Sequence, residues 1–224
     1  MPAEWINLPF AAAVRFLRSL RPTPRDVFDT MSAEARSRAF TASRLTKLEA
    51  LQSVLEALQE AAETGKTLAQ FIAELEQLGL TDAHLETIFR TNLQSSFGRG
   101  RYEQLVDPTI NRAIWGWRYR TVGDERVREE HAVLNGMIFQ TGTHEEIFPP
   151  WDFNCRCSSE VITRREAQRD GLESDSLPLE VQEALGETDF MSPALTVELH
   201  PDLGGYDLGL VAQFVSDQER ADGE

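Results

Sequence analysis

Two cysteines and a histidine are the residues of this chain whose types and spacing suit metal chemistry. Cys155 and Cys157 are separated by one residue, and residues i and i+2 of an extended segment point to the same face. Both thiolates could therefore bind one ion at about 2.3 Å, and a hairpin-like excursion would bring His131 to it. A disulfide between the two cysteines is disfavoured, because their Cα atoms would lie about 6.6 Å apart and so small a ring is strained.

A closed structural zinc site needs four ligands, and the sequence leaves the fourth one open. Asp152 or Asp124 would supply a carboxylate oxygen, His144 would supply an imidazole nitrogen, and a water molecule would also complete the shell. The predicted cofactor is a structural zinc ion, and its predicted ligands are His131, Asp152, Cys155 and Cys157.

These residues can also be explained without a metal. The two cysteines would pack as small hydrophobic residues inside a strand, because free cysteine is well suited to protein cores. His131 would be a hydrogen-bonded structural residue that ties the Asn135-Gly136 turn to the Cys-Arg-Cys segment. A metal site and a hydrogen-bonded cluster therefore both stay open at this point.

The chain before this cluster has the apolar periodicity of helices. Residues 1–25 form an N-terminal arm with a short helix after Pro9, whose apolar strip would dock on the body or on another subunit. Residues 26–108 form a helical region, with one or two long helices expected from Asp26 to Thr64-Gly65. A shorter helix would open at Thr67 and end at Gly79, and Thr81 is the expected N-cap of the next helix.

From Asp107-Pro108 onward the period changes to that of strands. Trp115, Trp117 and Tyr119 alternate with arginines, which predicts a strand with one aromatic and one basic face. Residues 109–165 are expected to form a small antiparallel β unit, in which the His/Cys cluster makes up for a small core. Residues 166–224 are expected to form an acidic, extended C-terminal tail after a short helix. The predicted fold class is α+β.

The charge of the chain is strongly acidic and unevenly distributed. The net charge is −15, and the excess of Asp and Glu lies in the last third of the sequence. Tight binding of a phosphate backbone needs clustered Lys and Arg, so sequence-specific DNA binding is not expected. No apolar run is long enough to span a membrane, and the N-terminus has no secretory pattern. Two closely spaced cysteines fit a reducing compartment.

An ordered series of short motifs resembles a known family. The series contains Trp115, Gly123-Asp124-Glu125-Arg126, His131, Leu134-Asn135-Gly136, Pro149-Pro150 and Asn154-Cys155-Arg156-Cys157, and earlier in the chain Pro9-Phe10, Thr91-Asn92-Leu93 and Gly100-Arg101-Tyr102. Over roughly residues 8–165 it is similar to the phage Mu F-like minor head proteins. Each motif is weak alone, but their fixed order makes the resemblance specific.

The resemblance also implies a fuller zinc site than this chain contains. Many relatives carry a Cys-x-x-Cys pair before the Asn/Asp-Gly turn and a histidine before Asn-Cys-Arg-Cys. Here Arg128 and His131 stand at the places of that cysteine pair, and Asp152 stands at the place of the histidine. A weaker site with an oxygen ligand and a hydrogen-bonded relic both fit this departure.

The resemblance implies a minor head protein of a tailed bacteriophage with a structural role in head morphogenesis. The expected locations are the virion and, during assembly, the host cytoplasm. The expected partners are the portal protein, the major capsid protein or both, with weak contact to packaged DNA as an option. No membrane contact, small-molecule substrate or enzymatic activity is expected.

Two other function classes compete with this one. A metal-dependent hydrolase or toxin-like enzyme would use Glu129 or Glu130 as a base, but zinc deaminases need His-x-Glu and Pro-Cys-x-x-Cys, and Val133 stands at the glutamate position. A nucleic-acid-contacting module would use the basic strand face of Arg112, Arg118 and Arg120, which the acidity of the chain opposes.

Overall fold

The fold was examined in a computed structural model, which describes residues 11–31, 33–36, 39–188, 190 and 192–195. Its first part is helical and its second part contains a small sheet, which confirms the predicted α+β class. The helices of the first part are α1 (Ala11–Ser19), α2 (Arg25–Thr30), α3 (Ala33–Arg36), α4 (Leu48–Thr64), α5 (Leu68–Glu74) and α6 (Asp82–Val106). Two short parallel strands, β1 (Arg21–Pro22) and β2 (Ala39–Phe40), pair with each other.

Local signals set several helix ends where the sequence predicts them. Thr67 forms a capping box with Gln70 at the start of α5, and Thr81 accepts a hydrogen bond from the His84 N–H at the start of α6. Gly65 ends α4 and Gly79 ends the short 3-10 turn after α5, both in the left-handed conformation.

The prediction of one or two long helices from Asp26 onward is wrong for the first half of this segment. The chain turns extended at Met31 after α2, and a continuous helix begins only at Leu48. Phe40 and Leu45 of the intervening segment are buried in the helical core. Their apolar spacing therefore reflects core packing by short and extended segments, which a helical period does not distinguish.

The N-terminal arm packs on its own chain in the part that is described. Leu17 of α1 is fully buried against α4 and α6, and Arg18 forms an ion pair with Glu63. The apolar residues Trp5 and Phe10 of the expected strip lie outside the described residues.

Helix α6 connects two hydrophobic cores. Leu85 and Ile88 near its start belong to the core of the helical part, whereas Tyr102 and Leu105 near its end belong to the core of the β unit. Tyr102 also donates a hydrogen bond to Glu145 in the loop of the β unit. The β unit is therefore built directly on the last turns of this helix.

The sheet has three antiparallel strands in the order β4-β3-β5. They are β3 (Ile114–Arg120), β4 (Ile138–Gln140) and β5 (Ser158–Thr163). Trp117 and Tyr119 are buried as predicted, but Ile114, expected on the basic face, is buried as well. The reason is a register irregularity between Ile114 and Gly116, which shifts the alternation at the start of β3.

Part of the predicted acidic tail packs against the β unit. Helix α8 (Arg164–Asp170) ends at Gly171 as expected, and helix α9 (Leu179–Glu187) buries Val181. Further on, the Ser192 hydroxyl donates a hydrogen bond to the Phe148 carbonyl at 2.9 Å. Residues 196–224, where the extended tail is also expected, lie outside the described residues. None of the helices in the described ranges combines the length and apolarity that a membrane crossing requires.

Candidate metal centre

His131 lies in a short helix beside the sheet, α7 (Glu129–Ala132), and is almost completely buried. Its imidazole stacks on the indole of Trp151, with ring centroids 4.1 Å apart and an interplanar angle of 11°. Stacking on a buried indole fixes the plane of the imidazole, so the direction of its ring nitrogens is fixed as well.

The cysteines lie in the irregular segment before β5, not in the strand where the sequence analysis placed them. Asn154, with a φ of +55°, turns the chain just before them. Its N–H donates to the Thr91 hydroxyl of α6 at 3.0 Å, and Gln94 of α6 donates to the Cys157 carbonyl, also at 3.0 Å. Helix α6 therefore holds the segment that carries both thiols.

The structure brings His131, Cys155 and Cys157 together. Both sulfur atoms lie 3.6 Å from the Nδ1 atom of His131, and the three ligand atoms all lie within 4.8 Å of one another. At metal–sulfur and metal–nitrogen bonds of about 2.3 and about 2.0 Å, tetrahedral ligands lie about 3.5 Å apart. The spacing of sulfur and nitrogen here therefore fits three corners of a tetrahedral site, and the cluster could hold a metal ion.

A tyrosine and a tryptophan complete the inner side of the cluster. The Tyr119 hydroxyl lies 3.1 Å from His131 Nδ1 and accepts a hydrogen bond from the Trp151 indole N–H at 2.8 Å. Burial raises the pKa of Tyr119 well above its usual value, so the group is a neutral phenol. The cluster is thus closed towards the core by hydrogen-bonded aromatic side chains.

Arg128 covers the outer side of the cluster. Its guanidinium lies 3.2 Å from His131 Nε2 and donates to the Phe153 carbonyl at 3.2 Å. A guanidinium only donates hydrogen bonds, so Nε2 must accept, and the neutral imidazole then carries its proton on Nδ1. In this arrangement Nδ1–H donates towards the sulfurs. Ligation of a metal through Nδ1 requires the other tautomer and the withdrawal of Arg128 from Nε2.

The pKa values of the two thiols are shifted in opposite directions. The Cys157 thiol donates to the Cys155 sulfur and His131 adds a further hydrogen bond, which lowers the pKa of Cys155 to about 4. The same hydrogen bond, together with burial, raises the pKa of Cys157 well above its usual value. The thiolate is the form of cysteine that binds metals, so the lowered pKa of Cys155 favours metal binding.

The other oxygen and nitrogen donors considered from the sequence are engaged elsewhere. Asp152 forms an ion pair with Arg128 at 3.0 Å and accepts from the Thr188 hydroxyl at 3.3 Å. Asp124 receives two hydrogen bonds from Arg156, and His144 pairs with Glu146. These three residues lie outside the group formed by His131 and the two cysteines.

Sequence reasoning missed Tyr119 and Trp151 as parts of the cluster. The sequence places Tyr119 on the aromatic face of a strand, and each of the two residues has a polar atom that needs a partner when buried. The burial pattern of β3 and the aromatic after Pro149-Pro150 were the available signals, but neither one indicates that the two side chains meet.

The geometry gives little support to the two competing function classes, the metal-dependent hydrolase and the nucleic-acid-contacting module. Glu129 and Glu130 line a different cavity from the one beside the His/Cys cluster. On the strand, Arg120 pairs with Glu160 at 2.6 Å, and Arg118 lies 3.5 Å from both Glu160 and Glu166. These two arginines of the basic face are therefore paired with carboxylates of their own chain.

The fold and the cluster define an α+β protein in which a small antiparallel sheet, with a His/Cys/Cys group beside it, is built on a long helix. Residues 52–160 match the family model described as phage Mu protein F like protein. The resemblance to the phage Mu F-like proteins that the motifs predict is therefore confirmed.

Two curated relatives extend this similarity. The chain is 28% identical over 207 residues to the putative capsid assembly protein F of Escherichia phage Mu, covering 77% of this chain and 46% of that protein. It is 30% identical over 175 residues to the Mu-like prophage FluMu F protein of Haemophilus influenzae, covering 67% of this chain and 42% of that protein. The chain thus spans less than half the length of either relative. No solved structure gives a significant match.

Proposed function

We propose that this protein is a structural component in the assembly of a tailed-phage head, with no catalytic turnover. The observation that carries the proposal is the similarity over most of the chain to a protein named as a capsid assembly protein. In this role it acts in the host cytoplasm during assembly and becomes part of the virion. Its partners are the portal protein, the major capsid protein or both, and contact with packaged DNA is weak.

The His/Cys cluster has a structural task in this proposal. It joins α7 to the segment before β5, and its ring stacking and hydrogen bonds are buried. A buried cluster with no carboxylate among its described members suits a structural role better than a reaction centre. The cluster adds to the hydrophobic core of the β unit, which includes the fully buried Trp117, Phe139 and Phe148.

A zinc ion is the proposed occupant of this cluster. His131, Cys155 and Cys157 would hold it, and when bound it would act as a crosslink between two segments far apart in the sequence. Asp152 remains the proposed fourth ligand, which requires it to leave Arg128. Tyr119 and water are the other groups in position to complete the shell.

The assembly role is tested by complementation in the phage or prophage that encodes the protein. A strain that lacks the gene receives the wild-type gene, the double variant Cys155→Ser and Cys157→Ser, or the control Ser159→Ala on β5. We expect filled heads with the wild type and the control, and a strong loss of intact heads with the double variant. Normal numbers of infectious particles without any copy of the gene would overturn the proposal.

Zinc is tested separately by elemental analysis of protein purified without chelators. We expect close to one zinc per chain for the wild type and less than one tenth of that for the double cysteine variant. Zinc at the same level in both proteins, or in neither, would show that the cluster is not a zinc site. The structural role of the cluster would then depend on its hydrogen bonds alone.

A further inference from the structure

A second cavity lies on the far side of α7 from the cysteines. It is a groove of about 910 Å³ between α7 and α9, near the upper end of the range of about 300–1,000 Å³ for ligand sites. Val133 and Phe153 are among its lining residues, and their exposed fractions are 41% and 47%. Exposed apolar side chains that line a groove offer contacts to an apolar partner.

The two sides of the groove, which α7 and α9 form, are acidic. Glu129 and Glu130 line it from α7, and Glu180, Glu183 and Glu187 line it from α9. The three glutamates of α9 are three and four residues apart, so they share one face of the helix. Among the described residues that line the groove there is no lysine or arginine.

Most of these carboxylates lack a positive partner within the described ranges. Glu130 pairs with Arg128 at 3.3 Å, whereas Glu129, Glu180, Glu183 and Glu187 form no ion pair with any described residue. Helix α9 contains no basic residue, and like charges four residues apart destabilise a helix. By contrast, the exposed carboxylates Glu60 and Glu74 of the helical part both pair with Lys66.

We propose that this groove docks a basic, amphipathic segment of a partner polypeptide. The apolar side chains of this segment contact Val133 and Phe153, and its lysines or arginines pair with the glutamates of α7 and α9. Helix-in-groove recognition combines these two kinds of contact, and complementary charge gives it orientation and speed. The inference deepens the proposed function, on which it rests, by stating what an assembly partner presents to this protein.

Charge complementarity excludes the acidic end of the chain itself as the occupant. Residues 196–224 contain seven acidic residues and one arginine, so they would be repelled by the same glutamates. A second copy of the chain is disfavoured for the same reason, since its net charge is −15.

The test measures binding of a fluorescein-labelled peptide with leucine and lysine at helical spacing, by fluorescence anisotropy on the full-length protein. The groove variant combines Glu180→Gln, Glu183→Gln and Glu187→Gln. The control variant combines Asp26→Asn, Glu49→Gln and Glu76→Gln, all on the helical part, and has the same net charge. A third variant, Phe153→Ser, removes an apolar side chain that lines the groove and leaves the net charge unchanged.

We expect the groove variant to bind the peptide about tenfold more weakly than the wild type, and the control variant to bind within about twofold of it. Phe153→Ser and a peptide with scrambled leucines should also weaken binding several-fold. Equal affinity for the groove and control variants would overturn the proposal, because the attraction would then be a property of net charge. Displacement of the peptide by calcium at constant ionic strength would also overturn it, since the groove would be a cation site.

Folding of each variant is checked by circular dichroism. Because the peptide assay needs no phage particle, its outcome is independent of the complementation experiment. Groove binding without any effect of the gene on heads would overturn the assembly role alone, and the reverse result would overturn the groove alone.

Discussion

Replacing Tyr119 with phenylalanine tests whether the hydrogen bonds of the cluster stabilise the β unit. The change removes one buried hydroxyl and preserves the ring, which packs near Trp117. That hydroxyl accepts the Trp151 indole N–H at 2.8 Å and lies 3.1 Å from His131 Nδ1. Both partners are buried, so water cannot replace the lost contact.

The expected loss follows from the indole N–H that is left without an acceptor. An unsatisfied buried donor costs about 1–3 kcal/mol in the free energy of unfolding. For a protein of this size the melting temperature should fall by about 2–4 °C for each kcal/mol. Urea unfolding followed by tryptophan fluorescence and circular dichroism measures the change.

A double-mutant cycle separates the hydrogen bond from packing. Trp151→Phe removes the donor together with part of the packing, and the variant with both changes leaves no unpaired group of this bond. We expect a coupling energy of about 1 kcal/mol or more between Tyr119 and Trp151, because the second change relieves the penalty of the first. Strictly additive losses, or no loss in Tyr119→Phe, would refute the view that this bond stabilises the cluster.

Three further predictions concern the sheet, the arginine and the C-terminal part. Gly116→Ala should destabilise the protein by about 1–3 kcal/mol or more in thermal unfolding, because the new Cβ would lie 2.1 Å from the Phe139 carbonyl oxygen. Arg128→Met should raise the zinc affinity by about tenfold in a competition with a chelating dye, since it frees His131 Nε2 to carry the proton. Truncation after Gly186 should leave the body folded but lower its stability by about 1–2 kcal/mol in urea unfolding, because the Ser192 bond to Phe148 is lost.

Each of these has a control and a contrary result. Gly123→Ala serves as the control for Gly116→Ala. Nothing lies within 4 Å of the Cβ added at Gly123, and its φ of +71° adds only backbone strain. An unchanged melting temperature for Gly116→Ala would contradict the close approach of β3 and β4. Arg126→Met is the control for Arg128, and equal zinc affinity in both would contradict the tautomer argument. A truncated protein that loses its secondary structure would show that the body needs the last described residues.

The sequence determined the local features of this protein. Thr67 and Thr81 cap their helices because a hydroxyl and two or three following N–H groups are all that a cap needs. Gly171 ends α8 for an equally local reason, the left-handed conformation of its backbone. The types of His131, Cys155 and Cys157 also identified the candidate metal centre, because thiols and imidazoles are the side chains that commonly bind zinc.

Only the tertiary structure decided what surrounds that centre. Tyr119 and Trp151 are 32 residues apart and meet because β3 and the loop before β5 share one hydrophobic core. Asp152, a candidate ligand by type, is paired with Arg128, and that choice depends on where two loops approach each other. Spacing along a chain determines which residues share a face of one element. Contacts between elements depend on how the cores pack, and no local pattern contains that information.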